Sequence, residues 1–493
     1  MDKLSLELIL LVIDYLKEPL APYATISRTW QCMIESRTFS QVRVEIDALD
    51  LFETAFAPAQ ARRRQTLRRL DLQVRMPSNR LEKPDYRKNF AVFRQALIAL
   101  LRYLASWEVT ETPFELSLKH IPPHDHQLYA SSTRWLRAAE DARSSGRCLT
   151  LRDLGMEDLP TVLCVRHLSW CFSCSRYISV NTVSHISGRF LALEKLHLEC
   201  WDYPKKPHSL RRERRTALAD GLNSLHSLPR LKKLQIIDRG RFDYQNHSAV
   251  LQDFRDDQGV DVLCEAVRRL AQAGILEELE LEDVLVSADL FRDARLAPDA
   301  ADATTWPSLE RLRITSGIEA PDGTWYWTGD PDAVPPARVI SPECADLWLD
   351  GESEPESEDE DERGHYWRTA LDPETYNPLA RAFTDAVLRM PRLKTARLEI
   401  GKRSKDVMTS VLECAEAGQP LEWDGYITDA TPAASSSGSG GSSGCRRWRM
   451  NVDKRGGWEL PDDLLDKWNE WVGPNGTAGV VSWKQVAWGS LGL

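Results

Sequence analysis

The sequence predicts an α/β protein in three parts: a short helical module at the amino end, an irregular array of helix and strand units, and a small α+β cap at the carboxyl end. Three observations carry this prediction. A helix that is apolar on nearly every side opens the chain, a spaced leucine pattern recurs through its middle, and a tryptophan-rich tail follows a Ser/Gly tract. At 493 residues the chain has room for two or three domains or for one extended array.

From Leu4 to Leu16 the positions Leu4, Leu8, Leu11, Val12, Tyr15 and Leu16 follow helical spacing, and Ile9, Leu10 and Ile13 make most of the remaining surface apolar too. A helix of this kind must be covered on every side, and a module of about 40 residues is too small to do that alone. The surplus face asks for a partner, or for the chain's own following domain. Pro19 and Pro22 suit the first turn of a second short helix, and Ile26, Trp30 and Met33 continue at helical spacing, so the segment reads as three short helices.

Leu4-Ser5-Leu6-Glu7-Leu8 with Ile13 and Leu16 resembles the opening of the F-box, Leu-Pro-x-Glu-Leu followed by an apolar helix. Ile26-Ser27-Arg28-Thr29-Trp30 resembles its later segment, and the stretch Leu20 to Gln31 is particularly similar to F-box proteins of filamentous fungi. Ser5 stands where that family usually has Pro, and a serine there serves as a helix N-cap. The resemblance implies that residues 1–45 dock onto a Skp-type adaptor of a cullin ubiquitin ligase. It implies Leu4, Glu7, Leu8, Ile13, Leu16, Leu20, Ile26 and Trp30 as the adaptor-binding positions, facing the adaptor or forming the module's core.

The pattern Leu-x-x-Leu-x-Leu, or its Ile variant, recurs as Leu67/Leu70/Leu72, Leu193/Leu196/Leu198, Leu231/Leu234/Ile236, Leu276/Leu279/Leu281 and Leu309/Leu312/Ile314, with a degenerate copy at Leu393 to Ile400. Alternation through the last two apolar positions signals a half-buried strand. Pro229, Pro307 and Pro391 each precede a copy by two residues and end the helix before it. Weaker strands are expected at Phe114 to Leu118 and Cys148 to Leu151. Stacked units of helix, Pro stop and strand predict a loose leucine-rich-repeat-like solenoid over residues 46–430, with long insertions and without the asparagine ladder of a regular horseshoe. The same elements also fit a single doubly wound α/β domain.

Residues 350–363 are acidic and polar, a solvated insertion, and residues 431–444 form a Ser/Gly linker. Beyond it lie Trp448, Trp458, Trp468, Trp471, Trp483 and Trp488, with strand-like Trp448 to Val452 and Val480 to Trp483 flanking a helical Leu460 to Trp468. Residues 445–493 are therefore expected to cap the open end of the array; a target-binding surface is the other use of so many indoles.

The composition argues for an intracellular protein, cytoplasmic or nuclear. Ten cysteines lack framework spacing, the longest apolar run is too short to span a membrane, and a net charge of -11 argues against a nucleic-acid partner. Cys164, Cys171, Cys174, His167 and His185 invite a zinc site, but no second pair completes four ligands. His120, His124 and His126 read as a polar loop, and Gly440 to Gly444 matches a nucleophile elbow only by composition. The basic stretches Arg62 to Arg69 and Lys205 to Arg215 read as solvated helix faces. No cofactor, metal or catalytic residue is expected. The predicted function is that of a substrate-recognition subunit with a Skp-type adaptor, a cullin and an unidentified protein target as partners; the alternatives are a scaffold outside ubiquitination and a metal-dependent enzyme using the Cys/His clusters.

Overall fold

The computed structural model describes residues 4–16, 19–75, 86–107, 114–121, 159–171, 180–200, 208–238, 250–293, 295, 305–331, 367–401, 409–421, 445–453 and 458–483. Among these residues twelve strands form a mostly parallel sheet whose order follows the chain, and two more form a separate ribbon. The chain divides into unit 1, Met1–Glu199 with Ser227–Leu231, and unit 2, Cys200–His226 with Lys232–Leu493.

Unit 1 begins with α1 (Leu6–Tyr15), a 3-10 turn at Ala21–Thr25 and α2 (Arg28–Thr38). Each helix starts on a serine: Ser5 Oγ accepts from Leu8 N and Ser27 Oγ from Trp30 N, both at 3.4 Å. The expected three-helix module of residues 1–45 does not form. Pro22 opens a segment of only five residues, enough for a 3-10 turn but not an α-helix. The residues after α2 alternate through Val42 and Val44 as β1 (Gln41–Glu45), which joins the sheet.

The remaining strands of unit 1 are β2 (Arg69–Arg75), β3 (Glu115–Ile121), β4 (His167–Cys171) and β5 (Lys195–Cys200), each parallel to the one before. Their register aligns Val42, Leu70, Leu116, Leu168 and Leu196 in one row and Val44, Leu72, Leu118, Trp170 and Leu198 in the next. The unit also holds α3 (Leu49–Ala55), α4 (Ala61–Thr66), α5 (Tyr86–Ala105) and α6 (Val180–Ser187). Aromatic rings join α3 to the end of α5: Phe52 and Phe56 lie 4.8 Å apart, and Phe56 stacks on Trp107 at 6.0 Å.

Unit 2 holds α7 (His208–Ser224), β6 (Lys233–Asp238), α8 (Val262–Gln272), β7 (Glu278–Glu282) and β8 (Arg311–Ser316). The ribbon of β9 (Trp327–Thr328) and β10 (Ala370–Leu371) precedes α9 (Pro373–Leu388) and β11 (Thr395–Ile400). Strands β6, β7, β8 and β11 are parallel; β12 (Ser410–Ala415) runs against β11 and against β13 (Arg447–Asp453). After α10 (Asp462–Val472), β14 (Thr477–Trp483) closes the order parallel to β13. One buried row reads Leu234, Leu279, Leu312, Ala396, Cys414 and Trp448, and the next Ile236, Leu281, Ile314, Leu398, Leu412 and Met450.

Each of the six leucine patterns lies on a strand, yet they do not build the expected leucine-rich-repeat solenoid with a separate cap. Within unit 2, β12 runs against both of its neighbours, and the tail expected as a cap supplies the last two strands of the sheet. All six residues of β12 are buried, the polar Ser410 and Glu413 among them, so the strand carries neither the leucine spacing nor an alternation of apolar and exposed positions. The strand expected at Cys148 to Leu151, the acidic run and the Ser/Gly tract lie outside the described residues. Among the described residues, no helix is long and apolar enough to cross a membrane.

Candidate partner-binding surface

α1 is apolar on two opposite sides. Ile9 and Ile13 turn inward and pack with Leu20, Trp30 and Ile34, around which Leu16, Tyr23, Ala24 and Met33 close. Opposite that seam, Leu8, Leu11 and Tyr15 share one helix face, at spacings of three or four residues, Val12 borders it, and Leu4 precedes the helix at its amino end. All five are exposed; Tyr15 reaches 82% and Leu11 53%. Leu6 and Leu10 are exposed on the other flank, and Ile26 of the following turn is exposed at 40%. Single exposed leucines are ordinary, but a contiguous stripe along a whole helix marks an interaction site.

The residues singled out from the sequence divide accordingly. Leu4, Glu7, Leu8 and Ile26 lie at the surface; Leu16 is half-buried against the core; Ile13, Leu20 and Trp30 are the core. Sequence reasoning did not single out Leu6, Leu10, Leu11, Val12 and Tyr15 as partner-facing. The signal was present as a helix apolar all round, but only the packing of α2 decides which side faces inward. Glu7 sits in the first turn, where a hydrogen bond from its own backbone N–H and one from the Ser5 hydroxyl lower its pKa. Asp14 at the other end of the stripe pairs with Arg37, tying α1 to α2.

Cys164 is buried, its Sγ 3.5 Å from Leu104 O, and burial pushes its pKa up to about 12. His167 and His185 both have lowered pKa values, chiefly through burial. Cys174, His124 and His126 lie outside the described residues, among which no group of three or more His, Cys, Asp or Glu is placed to hold a metal ion. Several arginines of the basic stretches are bound into the fold, while Arg62, Arg68 and the side chain of Arg212 remain exposed. Arg63 meets Glu35 at 3.0 Å, Arg64 lies 4.8 Å from the centre of the Trp107 ring, and Arg215 meets Asp261 at 2.7 Å. Two tryptophans of the tail serve the interior: Trp448 and Trp468 are fully buried and stacked at 5.3 Å, and Trp468 Nε1 donates to Thr384 Oγ1 at 3.1 Å.

The chain matches no protein-family model, no curated protein and no solved structure.

Proposed function

We propose that the chain is the substrate-recognition subunit of a Skp-cullin-F-box type ubiquitin ligase, acting in the cytoplasm or nucleus. The observation that carries this reading is the apolar stripe of α1, which lies within the segment whose order and spacing resemble the F-box. The adaptor would cover Leu4, Leu8, Leu11 and Tyr15, while Ile9 and Ile13 hold the helix to its own module. The remainder of the chain would hold a protein target. Rate enhancement then comes from proximity, because a bound target meets the transfer machinery at high effective concentration, and the chain itself supplies no catalytic group.

The test is co-purification of the full chain with a Skp-type adaptor and a cullin. Wild type should retain both, and Leu8→Asp with Leu11→Asp should lose both, because each carboxylate would be buried without a partner in an apolar contact at a cost of several kcal/mol. Failure of the wild-type chain to retain the adaptor overturns the proposal. Retention of adaptor without cullin would make the chain a scaffold instead.

A further inference from the structure

On the sheet of unit 2, many of the residues alternating with the buried apolar ones are charged. Among them are Lys233 of β6, Glu278 and Glu280 of β7, Arg311 and Arg313 of β8, and Arg397 of β11. With Glu413 and the turn residues Gln419 and Pro420 they line a cleft of about 300 Å³. Each strand pairs its charges with those of its neighbour. Lys233 lies 3.0 Å from Glu278, Arg311 also pairs with Glu278, Arg313 lies 3.9 Å from Glu280, and Arg397 lies 3.4 Å from Glu413. At the amino-terminal rim of the same strands, Glu310 receives Arg392 at 2.8 Å and also Lys394.

The two signs are not equally exposed. The side chains of Arg311 and Arg392 are each 56% exposed and that of Arg313 45%, against 25% for Glu278, 22% for Glu280 and 18% for Glu310. These three carboxylates lie low between the strands and Arg311, Arg313 and Arg392 stand over them, while Arg397 is buried beside Glu413. The exposed charges of this face are therefore mainly positive although the chain carries a net charge of -11. An exposed ion pair of this kind contributes at most about 1 kcal/mol, and a guanidinium has five N–H donors, so a second carboxylate can join or replace the first at little cost. Arg311 and Arg313 are alternate residues of one strand, hence about 7 Å apart on the same face, which is the spacing of alternate side chains in any extended peptide.

We propose that this cleft binds an extended acidic segment of a protein target, with Asp or Glu at alternate positions lying on Arg311 and Arg313 and a further carboxylate on Arg392. This deepens the receptor reading by naming the class of target. It is measured on the full chain without adaptor, so its failure leaves adaptor docking to be judged by its own co-purification.

The probe is a short fluorescein-labelled peptide with glutamate at every second position, titrated with the full chain and followed by anisotropy. The same peptide with glutamine in place of glutamate should bind at least tenfold more weakly. Arg311→Glu with Arg313→Glu should lose at least tenfold in affinity, and Arg212→Glu, an exposed arginine of α7, should bind as wild type does. If the charge reversal unfolds the chain, as judged by its thermal melt, Arg311→Gln with Arg313→Gln is read in its place, since it removes the charge without setting like charges beside Glu278 and Glu280. Equal binding of the two peptides, unchanged binding by the arginine variants, or tighter binding of a phosphoserine peptide or a single-stranded oligonucleotide would each overturn the proposal.

Discussion

Asp261 carries two tasks at one buried position. Its carboxylate caps α8 by accepting from Leu263 N at 3.2 Å, and it takes both Nε and Nη2 of Arg215, at 3.0 and 2.7 Å, while Arg215 Nη2 also reaches Leu285 O. Burial opposes the charge on Arg215, but the Asp261 carboxylate outweighs it and raises the guanidinium's pKa. Removing one partner of a buried pair leaves the other uncompensated, so Asp261→Asn should cost about 3 kcal/mol or more in urea unfolding, and Arg215→Met in the same chain should recover part of the loss. His167 supplies the pH dependence at this scale. Burial, then Lys195, lowers its pKa, Arg166 adds to the shift, and Glu115 and Glu194 oppose it. The folded state therefore favours the neutral ring: its contribution is fully present above the free imidazole value of about 6.5 and is lost as pH falls through the lowered one. Melting temperatures of wild type and His167→Gln should diverge between those pH values, with the variant falling less. Neither role was legible in the sequence, where Arg215 was one of a run of basic residues and His167 a possible metal ligand; both depend on partners far away along the chain.

α1 shows what a helix reveals through its periodicity and what it withholds. Its extent, its N-cap at Ser5 and its surplus of apolar surface were readable from spacing, because these are local properties. Which side faces inward was not, since Ile9 and Ile13 differ from Leu8 and Leu11 only in what α2 places against them. The two sides should respond differently to mutation. Ile13→Ala should cost about 2 to 5 kcal/mol by leaving a cavity, while Leu8→Gln and Leu11→Gln should each change stability by no more than about 0.5 kcal/mol when the chain is alone. Chemical denaturation of the three variants makes the comparison. α10 shows the converse: Trp468, one of a conspicuous set of tryptophans, is a core residue stacked on Trp448. Trp468→Ala should cost about 3 to 5 kcal/mol, and a loss below about 1 kcal/mol would mean that the indole is not part of the core.

The strand positions were largely legible because half-buried strands print their alternation on the sequence, as Leu279 and Leu281 do between three glutamates. The assembly was not. Parallel or antiparallel direction is decided by pairing partners, and β12, buried at all six positions, carries no alternation that would announce it. The tail's membership in the sheet follows from the same strand, since β13 pairs with it from Val411 to Ala415. A chain ending at residue 444 should therefore expose the edge of β12 and self-associate, as read by size-exclusion chromatography; a monodisperse product would mean that the tail is separable.

Within each unit, strand order follows chain order, so no strand has to be inserted between two that are already neighbours. The connections can differ widely in length without disturbing the register, and doubling a flexible connection costs only about 0.6 kcal/mol in closure entropy. A foreign sequence, such as a reporter or a second recognition module, spliced in between β12 and β13 beyond the Gln419 and Pro420 that line the cleft should therefore leave the pairing of the sheet on either side intact.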